Sequence, residues 1–432
     1  MFRGKLLKRG LYSDISVMMS GTLLAQLLIV GVTPLLTRLY EASDFGLLSI
    51  FISALQILAV GTTGKYEMAI VIPRKTETTS KLIHGMLLIN HFFVIFFFFI
   101  FFFFYDRIIA LFGWEELSYY VFLLPICILI VSYNTAFNHW FLRHRKYYIS
   151  SIIVLFSAIV ISSINLIIGY FKFLSNGLIF AYVTAQASVF FMYLYQLKKN
   201  NLHKPLLVFA SIKEIRLVLR EYINFPKFQL PSELLFTTAT QITPIVFAFL
   251  FTTAVVGHFA LALRLVKVPL IILSNAINNV FKNEAIDRYR DKGNCKDLFI
   301  SLFKKLFLIA IVPFTILFFA APDLFSLVLG ESWRNAGNYA QILIFGLLFE
   351  LLAFPFRSIF QITNTQFIYL RLQFLSLLLI LVAVGLGYYL YNDPWFAVLF
   401  YSVAIAISHL VSIVCIYFLA KGNYAKIRID NA

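Results

Sequence analysis

The sequence predicts an all-α polytopic membrane protein, with about twelve transmembrane helices in two six-helix bundles. Three observations carry that prediction. Of the 432 residues, 61% are hydrophobic and only 13% charged, against roughly 25% charged in a soluble domain. The apolar residues gather into recurring stretches of about 20, the length of helix that crosses a roughly 30 Å hydrocarbon core. Lysine and arginine concentrate in alternate connections between those stretches. A porin-type barrel is excluded, because its strands would be alternating segments of about 10 residues.

The first span is placed at 16–37. The basic start, Arg3, Lys5, Lys8 and Arg9, resembles a signal peptide, but the apolar run from Ser16 to Leu36 is too long for one and lacks an Ala-x-Ala site. It therefore reads as an uncleaved first helix, closed by Arg38. The second span, 45–64, opens near Gly46 and ends at Lys65 and Glu67. The third, 82–104, carries a run of phenylalanines from Phe96 to Phe104, the lipid-facing outer end of that helix. Spans at 118–138, 150–170 and 175–196 complete the first half.

The longest connection, 197–228, divides a bundle at 1–196 from one at 229–432. Within it Ile212, Ile215, Val218 and Tyr222 recur at helical spacing, with Lys213, Arg216 and Arg220 between them. That pattern predicts an amphipathic helix on an anionic leaflet, ended by Pro226. The second half follows with spans at 229–251, 256–280, 299–321, 337–357, 368–391 and 395–419.

Distributing the 36 Lys and Arg tests this scheme. One side takes 30 and the other 4, while Arg264 and Lys267 fall inside the eighth helix. The positive-inside rule then puts both termini in the cytoplasm, and the net charge of +16 needs no nucleic acid to explain it. Trp114, Trp333 and Trp395 fall in or beside outer connections, as an interfacial aromatic belt requires. Cys127, Cys295 and Cys415 are odd in number and far apart, giving neither a disulfide framework nor a metal cluster.

The halves also resemble each other. Thr33-Pro34 in the first helix matches Thr243-Pro244 in the seventh, Gly46 matches Gly257, and Asp106 to Gly113 matches Asp323 to Gly330. Six helices per half make these parallel repeats, a transporter architecture whose substrate site is expected between the halves. No phosphate-binding Gly-Lys-Ser/Thr loop, paired-histidine HExxH motif or Gly-x-Ser-x-Gly elbow is present, so neither an enzyme nor a cofactor is expected.

The informative residues are charges where charge is expensive. Arg264 and Lys267 are near mid-bilayer and three apart on one helix face. A cation there costs roughly 3 kcal/mol on insertion scales, which is offset if that face lines a wet cavity or meets an anion. The opposing expectation is a structural pair satisfied by backbone carbonyls or by Glu350 on the tenth helix. Glu350 is the only carboxylate well inside a span, so it either neutralises a cation or binds the coupling ion. Aligning Gly46 with Gly257 brings Ser53 and Gln56 opposite Arg264 and Lys267 as polar lining. Arg38, Lys65 and Gln241 are further candidates, with snorkelling the alternative for the first two. More buried cations than acids favours an anionic cargo.

These residues carry a family resemblance. Tyr66 to Pro73 (YEMAIVIP), Pro231 to Leu235 (PSELL), Val256 to Lys267 (VGHFALALRLVK), Pro322 to Gln341 and Pro355 to Gln361 (PFRSIFQ) resemble bacterial oligosaccharide-lipid flippases of the O-antigen and capsule pathways. The resemblance covers nearly the whole chain and implies membership of the multidrug/oligosaccharidyl-lipid/polysaccharide exporter superfamily. It implies transfer of an undecaprenyl-pyrophosphate-linked oligosaccharide from the cytoplasmic to the periplasmic leaflet of the inner membrane, through a cationic cavity and with an ion gradient. The carried-over cations are Arg264 and Lys267. The implied partners are that lipid-linked sugar, membrane lipid, a proton or sodium ion, and a polysaccharide polymerase. The rival expectations are an ion-coupled exporter of a small anion or drug, and a polymerase or ligase. The latter needs a large periplasmic loop, and no outer connection here exceeds about 15 residues.

Overall fold

The computed structural model describes residues 2–112, 115–172, 176–208 and 210–422. Its helices are α1 (Phe2–Leu39), α2 (Ala42–Thr62), α3 (Thr76–Phe103), α4 (Tyr105–Phe112), α5 (Leu123–Arg143), α6 (Tyr147–Phe171), α7 (Gly177–Lys199) and α8 (Ile212–Glu221). They continue with α9 (Leu230–Leu250), α10 (Thr253–Lys292), α11 (Lys296–Leu329), α12 (Arg334–Ala353), α13 (Ile359–Ile362), α14 (Gln366–Tyr391) and α15 (Pro394–Ala420). Among the described residues there is no strand.

Eleven helical segments among the described residues are long and apolar enough to cross a membrane. The remaining expected span coincides with α5, a 21-residue helix whose Asn134, Asn138, His139 and Arg143 leave it less apolar than the rest. The chain is a multi-pass membrane protein. α10 and α11 extend to 40 and 34 residues, because the polar connection expected between them is itself helical. Glu284 and Arg288 pair at 3.6 Å there, one turn apart.

Two compact units divide the chain at residues 237 and 238, inside α9. In the first unit, α1 packs on α6, α6 on α7, and α2 runs against α5 and α7. In the second, α12 is central, flanked by α10, α11 and α15, with α14 packed on α15. Phe96, Phe98, Phe99, Phe102, Phe103 and Phe104 are exposed, as expected of a lipid face, while Phe101 turns inward. Thr33 and Thr243 are both buried, each preceding a helix-internal proline, Pro34 and Pro244.

Two expectations need correction. Trp333 is not an interfacial belt residue: it is 1% exposed and packs edge-on against His258. Trp395 is partly exposed, and Trp114, like Gly113, lies outside the described residues. The amphipathic helix forms as α8, and its apolar face is only partly covered by protein: Ile212 is exposed, Val218 and Tyr222 are half-buried and Ile215 is buried. Ser211 caps it with Glu214 in a capping box, and Ile215 is buried against α3. A methyl built on Gly85 would lie 2.9 Å from the Ile215 and Leu219 side chains, so α3 admits α8 only because position 85 has no side chain. Lys81 of α3, paired with Glu77 of its own helix at 2.5 Å, reaches Glu214 of α8 at 3.2 Å. α8 ends at Glu221, and Pro226 falls in a following turn of π-helix, Phe225–Gln229.

Candidate functional site

α10 supplies both intramembrane cations. At 1.5 Å per residue, Arg264 lies about 17 Å from the start of the helix and Lys267 about one turn further. Pro269 follows inside the same helix; lacking an N–H, it leaves the Leu265 carbonyl without its helical donor. Arg264 points away from the core of its unit, is exposed, and has no ion-pair or hydrogen-bond partner among the described residues. Asn275 and Lys282, eleven and eighteen residues on, fall on the same side of the helix and are also exposed. The opposite side, with Phe259, Ala262, Val266 and Phe281, is buried. α10 therefore carries a polar stripe along its exposed side.

Lys267 behaves differently. Its Nζ is 3.0 Å from the Glu350 carboxylate on α12, with side-chain exposures of 26% and 22%. The two meet because α10 packs directly on α12. Glu350 is thus paired with a cation of the neighbouring helix. Beside the pair is a small cavity of about 20 Å³, lined by Lys267, Ile271, Ser274, Glu350, Leu351 and Phe354. It has room for a single water or small ion and none for a sugar.

The other expected site residues separate in space. Ser53 is buried at 1% exposure and Gln56 is exposed; the two are three residues apart on α2, and the first turns inward. Ser53 therefore lines no open surface. Arg38 ends α1 and is exposed. Gln241 is half-buried on α9. Lys65 is not a free cation: it is 3.5 Å from Glu67 and 3.6 Å from Glu233. This second cluster stands at the end of α2, where Gly64 and Lys65 both adopt left-handed backbone at φ 59° and 58°. Gly64 takes that conformation freely, whereas for Lys65 it is uncommon. Arg143 closes the same corner by donating to the carbonyls of Ile70, Pro73 and Arg74.

Sequence reasoning missed the reach of Glu233 to Lys65, across 168 positions, because nothing local marks it. It also passed over His409, which acts electrostatically on Glu350 and Lys267 from α15. Among the described residues no three His, Cys, Asp or Glu side chains are placed to hold a metal ion.

Residues 35–338 match a family described as polysaccharide biosynthesis protein. The chain belongs to that family. No curated protein sequence matches it. As a member of the polysaccharide biosynthesis family it shares its fold with solved transporters. An inward-facing multidrug resistance MATE family transporter of the MOP superfamily superposes with TM-score 0.71 at 13% identity, over 94% of this chain and 99% of the other. The lipid II flippase MurJ, in an inward closed conformation, gives TM-score 0.73 at 13% identity, over 96% and 93%. A MOP superfamily transporter from Pyrococcus furiosus, described as having a binding pocket of reversed polarity, gives 0.57 at 15% identity, over 95% and 94%. These likenesses establish the fold. Family and fold together are those of a multi-pass membrane protein of polysaccharide biosynthesis.

Proposed function

We propose that this protein flips an undecaprenyl-pyrophosphate-linked oligosaccharide, an O-antigen or capsule repeat unit, from the cytoplasmic to the periplasmic leaflet of the bacterial inner membrane by alternating access. The observation that carries this reading is Arg264, an unpaired cation on the exposed side of a membrane-spanning helix. A guanidinium there costs several kcal/mol unless water or an anion meets it. Pyrophosphate is a fitting anion, since arginine binds phosphate oxygens through two parallel N–H donors. Membership of a polysaccharide biosynthesis family and the likeness to the lipid II flippase MurJ support a lipid-linked sugar as the cargo. Asn275 and the exposed Gln56 offer amide groups for sugar hydroxyls. The charge asymmetry supports cytoplasmic termini.

The test is surface polysaccharide restored in a flippase-deletion strain, with protein level checked by blot. Arg264→Lys retains partial flipping, Arg264→Ala loses most of it, and Arg264→Glu is worse still, since repulsion is added to lost attraction. Wild-type polysaccharide from a well-expressed Arg264→Glu variant refutes the reading. The rival reading, an ion-coupled exporter of a small anion, is favoured instead if the wild-type chain fails to restore polysaccharide yet lowers accumulation of an anionic drug.

A further inference from the structure

In the second unit, α12 and α15 run side by side in the same sense. Tyr339 and Asp393 interact near their starts. Further along, the helices touch backbone to backbone. The Ser402 hydroxyl donates to the Ile342 carbonyl at 2.7 Å and accepts the Gly346 N–H at 3.0 Å. Glu350 is one turn beyond Gly346. His409 is seven residues beyond Ser402, which at 100° per residue is within about 20° of two full turns. His409 therefore faces the same seam as Glu350, offset by about 4.5 Å along the axis.

Five of the other six histidines of this chain are used structurally. His84, His91, His139, His144 and His258 each place a ring nitrogen on a backbone carbonyl. His409 makes no such bond. The ionisable groups that act on it are Glu350 from α12 and Lys267 from α10, with Tyr401, two turns back on α15, facing the same pair. From α11, α13 and α14 none acts on it among the described residues.

We propose that His409 is a proton-binding residue that sets whether Lys267 is available to an anion. When His409 is neutral, the carboxylate of Glu350 is held by Lys267 alone, and the pair is closed to a ligand. When His409 takes up a proton at a ring nitrogen, the imidazolium shares Glu350, and the Lys267 ammonium is released toward an anion already held by Arg264, one turn away. Proton binding and anion binding are then linked. The added charge favours the anion, so affinity rises as pH falls far enough for His409 to take up its proton. This inference rests on the reading of Arg264 and Lys267 as an anion site and supplies the regulation of that site.

The experiment uses the full chain in lipid nanodiscs and inorganic pyrophosphate as the probe, with binding measured by calorimetry between about pH 5.5 and pH 8. Pyrophosphate titrates in the same window, so each variant is read as a ratio to wild type at the same pH. Wild type binds about tenfold more tightly than His409→Gln at the acid end and equally at the alkaline end, within the usual range of site-to-site coupling. His409→Lys carries a permanent charge and keeps the tight affinity throughout. A ratio that does not change with pH, or a His409→Lys variant indistinguishable from His409→Gln, overturns the role of His409 and leaves the anion site standing. Failure of the wild-type chain to bind pyrophosphate at any pH overturns the anion site, and this inference with it.

Discussion

Removing the carboxylate of Glu350 tests the energetics of the intramembrane ion pair. At the observed 3.0 Å, two unit charges attract by about 5.5 kcal/mol in an effective dielectric of about 20. Desolvation offsets a large part of that gain. The side chains keep 26% and 22% of their exposure, which places the pair between an exposed one worth under about 1 kcal/mol and a buried one whose breakage costs roughly 3–5 kcal/mol. The expected net coupling is about 2 kcal/mol. The assay is a double-mutant cycle with Lys267→Met, Glu350→Gln and the double variant, read by reversible unfolding in mixed micelles. Each single change destabilises by about 2 kcal/mol, because each strands a polar partner. The double change costs less than the sum of the two by about the same amount. In a unit of roughly 200 residues, a single change lowers the melting midpoint by about 4–8 °C. Additive single effects, with a coupling below about 0.5 kcal/mol, would show that the two side chains do not act as a pair.

Three further outcomes follow from the packing and the charges. Gly85→Leu drives a side chain into Ile215 and Leu219, costing about 1–3 kcal/mol of overpacking; the expected sign is faster protease cleavage of residues 212–221, and unchanged cleavage would refute the docking of α8. The carboxyl of Glu214 lies below the ordinary carboxylate range, chiefly because it accepts from the Ser211 backbone N–H and then from Lys81; its contribution to holding α8 is present above the unfolded value, near pH 4.5, and is lost as pH falls through the lower folded value. Amide exchange in α8 therefore quickens below that range in wild type, and a Glu214→Gln variant, already loosened, shows no such acid step. Cysteines introduced singly at Lys213 and Arg290 in a cysteine-free chain stay unlabelled by an impermeant thiol reagent added outside intact cells, whereas one at Arg107 reacts; outside labelling at Lys213 would reverse the orientation.

The sequence alone determined the class of molecule, because a bilayer imposes a one-dimensional constraint. A helix must present about 20 apolar residues to cross it, and that length is readable without any knowledge of neighbours. The same constraint made Arg264 and Lys267 conspicuous, since a charge inside an apolar run is visible as an exception. It also marked the phenylalanine run as an outward face, and Phe96, Phe98, Phe99, Phe102, Phe103 and Phe104 are exposed while Phe101 is buried. What the sequence left open is which exceptions meet. Lys267 and Glu350 are 83 positions apart, Lys65 and Glu233 are 168 apart, and both pairs form through helix packing. Periodicity fixes the face a residue occupies on its own helix, but not which helix lies opposite. Trp333 shows the same limit: its place beside an outer connection was legible, and the contact with His258 that buries it was not. The tertiary structure decided these points because the strength of a charge depends on what is within a few ångströms of it, and only packing sets that distance. Of two cations three residues apart on one helix, it left Arg264 open and closed Lys267 with an acid.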